Sequence, residues 1–202
     1  MPRQSVIGKE FSRIITVNEA LKKIADLSYQ VKMRALNSLI IAGRSGTGLA
    51  GFAVISSELI FFSSQLQEMT DTLSALMETV LRYSTRKAGA IRNQSVMEKT
   101  SLKFQLSNEE NALLLVTSLI ERENDLVKKM DQEIGNGLQE IFYKIRETIK
   151  LCTRGRTIAV FGKIEAAYAI KDKEIYLQLS ENVEEYLDEA EATLKQINIS
   201  WT

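Results

Sequence analysis

The chain has no histidine, one proline and one cysteine among its 202 residues. Each scarcity excludes something. Without histidine, Ser-His-Asp and Cys-His nucleophile systems are out of reach. The commonest general base, metal ligand and haem ligand is missing as well. A lone Cys152 forbids an intrachain disulfide framework and suits a reducing compartment. It falls where a small seam residue is expected, so its expected state is buried and inert. The only proline is Pro2, so the strongest helix breaker is absent from everything that follows.

Other deficits concern partners. Lys+Arg and Asp+Glu number 26 each, so no overall charge drives the chain to nucleic acid or lipid. Aromatics make up 7% of the residues, and the basic 82–103 stretch lacks the interleaved rings of a nucleic-acid surface. The most apolar region, 38–62, is interrupted by Arg44 and Glu58 and falls short of a membrane span. Residues 1–16 carry Arg3, Lys9, Glu10 and Arg13 without the apolar segment of a secretory signal. The expectation is a cytoplasmic, non-enzymatic protein with no cofactor and no metal that works by binding proteins.

What is present is helical periodicity. The apolar fraction of 45% supports a sizeable core. A first helix is expected from about Phe11 to Arg44. Its small or apolar residues Ile14, Val17, Leu21, Ile24, Ser28, Val31, Ala35, Ser38 and Ala42 alternate in threes and fours, the spacing of a coiled-coil seam. Gly43, Gly46, Gly48 and Gly51 then predict a tight turn between antiparallel helices. The second helix starts near Phe52, with Ile55, Leu59, Phe62, Leu66, Met69, Leu73, Leu76 and Val80 as its seam.

Residues 86–107 lose the pattern and read as a polar, basic connector. Ser107 and Glu110 have capping-box spacing, and a third helix follows through Leu115, Leu119, Leu126 and Met130. Gly135-Asn136-Gly137 predicts a break or kink, at a helix cost of about 2 kcal/mol. A fourth helix over about 138–169 and a fifth over about 174–198 complete the chain. The fifth has Ile175, Leu179, Val183, Tyr186, Ala190, Leu194 and Ile197 on one face and an acidic opposite face.

The chain also matches itself at an offset of 124. Ile14 meets Leu138, Val17 meets Ile141, Leu21 meets Ile145, Ser28 meets Cys152, Ala35 meets Ala159, Ser38 meets Gly162 and Ala42 meets Ala166. Shared heptad phase explains part of this match. The paired small residues are the part that argues for a duplicated helical hairpin.

Residues 29–58 read YQVKMRALNSLIIAGRSGTGLAGFAVISSE. This segment resembles the hairpin tip of methyl-accepting chemotaxis proteins. The match rests on Gln30, Ala35, Leu36, Asn37, Ala42, Arg44, Gly46, Gly51, Phe52, Ala53, Val54 and Glu58, without a gap across the turn. In that family the tip ends a dimeric four-helix coiled coil, binds a histidine autokinase and a coupling adaptor, and packs against other chemoreceptors. The resemblance implies a chemotaxis-type signal-transduction or scaffold role. Its partner-binding tip would comprise Tyr29, Gln30, Asn37, Arg44, Gly46, Gly51, Phe52, Val54 and Glu58. Lys163, Glu165 and Ala166 would be the second-copy counterpart. Departures lie at Ile41 and Thr47, where the family has glutamates, at Ala50, where it has a basic residue, and at Lys32 and Arg34.

Plainer readings stand beside these. Arg44 suits the negative end of a helix dipole. Asn37 suits a register-setting seam position, Phe52 a core position, and Glu58 a solvated face. Gly43-Arg44-Ser45-Gly46-Thr47-Gly48 has the glycines of a phosphate cradle but lacks the Lys-Ser/Thr of a P-loop.

The expected fold is all-α: an antiparallel four- or five-helix bundle with coiled-coil-like seams, residues 1–202 forming one domain. A chemoreceptor-like hairpin over 11–85, with its tip at 29–58, precedes the 86–107 connector and a second helical half at 108–198. The expected assembly is a monomeric pseudo-dimer or a homodimer. The alternative function is a structural helical adaptor without kinase coupling. A nucleotide-binding Gly-loop domain ranks below it.

Overall fold

The computed structural model describes residues 2–44, 50–107, 109–169 and 173–201, with side chains from residue 14 to residue 197 of those ranges. Its regular structure there is four α-helices: α1 (Pro2–Arg44), α2 (Ala50–Leu106), α3 (Glu110–Tyr168) and α4 (Lys173–Trp201). The fold is an all-α bundle. Among the described residues no helix is long and apolar enough to cross a membrane.

The chain divides into two compact units. One comprises Ile15–Ala75 and Phe142–Thr202, the other Met1–Ile14 and Leu76–Ile141. The first is a four-helix bundle in which each helix meets two antiparallel neighbours. Ser28 Oγ donates to the Ser63 carbonyl at 2.7 Å and Ser56 Oγ to Ser38 Oγ at 3.0 Å, joining α1 to α2. Arg156 pairs with Asp188 and with Glu191, the latter at 2.8 Å, and Lys163 pairs with Glu184, joining α3 to α4. Lys23 reaches Glu189 at 2.5 Å across α1 and α4. Thr148 lies 3.6 Å from the Met69 sulfur across α3 and α2.

The core of this bundle is built of small residues as much as large ones. Val17, Leu21, Ile24, Leu27, Ser28, Val31, Ala35, Ser38 and Ala42 are buried in α1. At an offset of 124, Ile141, Ile145, Thr148, Leu151, Cys152, Gly155, Ala159, Gly162 and Ala166 are all buried in α3. The second arms agree as well. Phe52, Ser56, Leu59, Ser63, Leu66, Thr70 and Leu73 are buried in α2. Tyr176, Ser180, Val183, Leu187, Ala190, Leu194 and Ile197, their counterparts at that offset, are buried in α4. The helix ends agree as well: α1 ends at Arg44 and α3 at Tyr168, one offset apart, and α2 begins at Ala50 and α4 at Lys173, within one residue of it.

Individual contacts repeat too. Ser38 meets Ser56. Their counterparts Gly162 and Ser180 come so close that a Cβ at 162 would collide with Ser180 Oγ. Three buried hydroxyls are satisfied within their own helix: Thr70 donates to Leu66 at 2.8 Å, Thr148 to Lys144 at 2.8 Å and Ser180 to Tyr176 at 3.1 Å. Buried polar groups so paired escape the desolvation penalty of an unmade bond.

The expected seams need adjustment. In α2, Ser56, Ser63 and Thr70 are buried while Ile55, Met69 and Leu76 are half-buried; in α4, Tyr176 and Leu187 are buried where Ile175 and Tyr186 were expected. A helix facing two neighbours buries a stripe wider than a two-stranded seam, and small hydroxyl residues fill its centre.

The other unit contains an antiparallel hairpin of α2 and α3. Lys87 pairs with Asp131 at 2.6 Å, and Gln94 donates to Asn124 at 2.9 Å. The 86–107 connector is therefore helix as far as Leu106. A helix with one antiparallel neighbour keeps only a narrow contact line, and Gln94 occupies part of it, which erased the apolar pattern. Of the basic stretch, Lys87 is engaged by α3, through Asp131. The break at Gly135-Asn136-Gly137 does not occur, so the expected third and fourth helices are one. A Cβ at Gly137 would stand 2.7 Å from Val80 Cγ2; that glycine lets two helices approach rather than ending one. Ser107 caps no helix start: its hydroxyl donates back to the Lys103 carbonyl at 2.7 Å.

Candidate functional site

The starts of α2 and α4 meet at one end of the bundle formed by Ile15–Ala75 and Phe142–Thr202. Phe52, on the first turn of α2, and Tyr176, on the first turn of α4, stack with ring centroids 3.8 Å apart and planes inclined by 36°. Both rings are fully buried. Such a pair adds about 0.5–1.5 kcal/mol beyond its burial. It pins the start of α2 to the start of α4.

A second contact ties the hairpins together beside it. Gly51 has no side chain, and the Glu165 carboxylate occupies the space a Cβ would need. The first turn of α2 carries no acidic residue of its own. Glu165 of α3 thus brings a negative charge to the positive end of the α2 dipole, worth about 0.3–1 kcal/mol. Any larger residue at 51 would displace that carboxylate.

Several residues of the expected tip are exposed. Tyr29, Gln30, Asn37, Arg44 and Glu58 are exposed, and Val54 is 61% exposed. Asn37 is therefore an outward-facing residue and sets no register in the seam. Arg44 sits in the last turn of α1, where the dipole favours a cation. Phe52 is core and offers no surface to a partner. Gly46, with its neighbours in the turn, lies outside the described residues. In the second hairpin Ala166 is fully buried and belongs to the core. Lys163 is held by Glu184, whose hydrogen bond pushes the lysine pKa up. Arg34, one of the added cations, lies over the Tyr186 ring with its guanidinium carbon 5.6 Å from the centroid. It is therefore engaged within the bundle.

Reading the residues in order missed the exposed apolar residues of this bundle. Ile40 and its counterpart Ile164 are both exposed, as are Phe61 and Phe161, and Tyr168 is 81% exposed at the end of α3. The signal was available: Ile40 and Ile164 coincide at the 124 offset, and both stand off the buried seam. The end of the bundle thus presents Asn37, Arg44, Glu58 and Glu165 interspersed with Ile40, Val54, Ile164 and Tyr168. Mixed polar and apolar exposure of this kind suits recognition of a protein surface.

No protein-family model matches the chain, and no solved structure is a match to it.

Proposed function

We propose that the chain is a single-chain counterpart of a chemoreceptor signalling tip, a non-enzymatic cytoplasmic protein that binds a chemotaxis histidine kinase, its coupling adaptor or other chemoreceptors. The observation that supports this reading is the meeting of the starts of α2 and α4 at one end of a four-helix bundle, through Phe52 on Tyr176. In the resembling family that arrangement takes two chains; here residues 15–75 and 142–202 supply it in one. The exposed Gln30, Asn37, Arg44, Val54 and Glu58 are the positions at which the resemblance places partner contacts. Signalling would proceed by changes in helix packing along a core of small residues, across which the helices approach closely.

The test is co-elution of the purified protein with the host's chemotaxis kinase and coupling adaptor. Asn37→Arg and Arg44→Glu are expected to abolish co-elution with helicity unchanged, since both side chains are exposed. Absence of co-elution by the wild type would remove the kinase reading. The second reading, a structural helical adaptor without kinase coupling, is favoured by Ile41 and Thr47, where the resembling family carries glutamates.

A further inference from the structure

The unit formed by Met1–Ile14 and Leu76–Ile141 holds a hairpin with a thin interior. Beyond Ala90 on α2, and up to Gly137 on α3, the one buried residue among those described is Val116. A polar pair, Gln94 and Asn124, takes one layer of the contact line. Meanwhile α3 turns a second apolar stripe to solvent. Leu115 is 65% exposed, Leu119 36% and Leu126 39%, at spacings of four and seven that keep them on one helix face. Val96 of α2 is exposed as well. The less exposed apolar residues of this part of α3 are Leu113, Val116, Ile120 and Val127.

Charge is divided between the two arms. Residues 86–106 carry Arg86, Lys87, Arg92, Lys99 and Lys103 against Glu98. Residues 109–125 carry Glu109, Glu110, Glu121, Glu123 and Asp125 against Arg122. The arms thus bear net charges of +4 and −4. Lys87 is neutralised across the hairpin by Asp131. Arg92, Lys99 and Lys103 make no ion pair among the described residues.

We propose that this hairpin docks on the same hairpin of a second copy of the chain, each α3 against the other copy's α2. Sign selects that arrangement. Two-fold packing of α3 on α3, or α2 on α2, sets like charges side by side. Packing α3 on α2 alternates acidic and basic arms around four helices. The contact is isologous, the same patch used twice. It covers the Leu115–Leu119–Leu126 stripe and converts a two-helix hairpin into a four-helix bundle, which has an interior to bury.

The test is sedimentation of the full chain. The wild type is expected to be a dimer that weakens with added salt. Arg92→Glu/Lys99→Glu and Glu121→Lys/Asp125→Lys should each sediment as monomers with unchanged helicity, and an equimolar mixture of the two should recover the dimer. A monomeric wild type, a dimer indifferent to both reversals, or a mixture of folded variants that stays monomeric would each overturn the proposal. If the reversed chains lose helicity, Leu119→Gln/Leu126→Gln carries the test, because glutamine keeps helix propensity. A dimer that survives in that variant would refute the interface.

Discussion

Phe52 and Tyr176 stand 124 residues apart and stack ring against ring at 3.8 Å. They are counterparts in the two hairpins, so each hairpin contributes the same position to a shared contact. Truncation of either ring should therefore loosen both hairpins at once. Phe52→Ala is expected to cost about 3–5 kcal/mol, read from urea denaturation, whereas Tyr176→Phe keeps the ring and should cost far less. The double truncation should fall short of the sum of the singles, because the two rings share one contact. Additive losses would mean that the rings act independently.

Gly155 packs where no side chain fits. A Cβ there would lie 2.6 Å from Phe62 Cζ and 3.0 Å from Leu187 Cδ1, both belonging to buried residues. Alanine is the better helix former by about 1 kcal/mol, yet overpacking costs about 1–3 kcal/mol. The crowding should win, because a buried phenyl ring has nowhere to turn. Gly155→Ala is expected to lower the thermal midpoint, and Phe62→Leu in the same chain should recover part of the loss. An alanine variant more stable than wild type would show that α2 and α3 separate easily at this level.

Cys152 is buried, and burial, followed by the nearby charge of Glu191, pushes its thiol up to about 12. The folded state therefore keeps a proton that the unfolded chain releases near pH 8.5, the usual thiol value of about 8.5. Stability from this group is fully present below that pH and is lost as pH rises through the folded value. Against Cys152→Ala, the wild type should lose stability more steeply on going from neutral to alkaline solution. A disulfide reagent should label it only after denaturant is added. Labelling of the native protein at neutral pH would contradict the burial.

The parts of this structure legible in the sequence are those where one spacing has one cause. The α1 seam is such a case: Val17, Leu21, Ile24, Ser28 and Val31 repeat in threes and fours and are buried as read. The 124 offset rests on Ala35/Ala159 and Ala42/Ala166, whose smallness answers to close helix approach. The offset also aligns turns that share no glycine. Elsewhere a residue type had two uses. Leu115, Leu119 and Leu126 had seam spacing but stand exposed, because apolar residues that cover an outer face repeat with the same period as those that fill an inner one. Gly137 read as a breaker and works as a clearance. At the tip, Asn37 and Phe52 carried the same resemblance yet lie on opposite sides of the helix wall. Burial separates them, and the order of residues alone does not.

The buried offset pairs agree, but pairs outside the core at this end of the bundle differ in chemistry. Ile41 answers to Glu165, Arg44 to Tyr168 and Gly51 to Ile175. In a bundle assembled from two identical chains, every substitution arrives twice and a partner meets equivalent faces. Here each arises once, so the end of this bundle has a front and a back. A protein that recognises Glu165 against Gly51 has one orientation in which to land, and one such protein saturates the bundle.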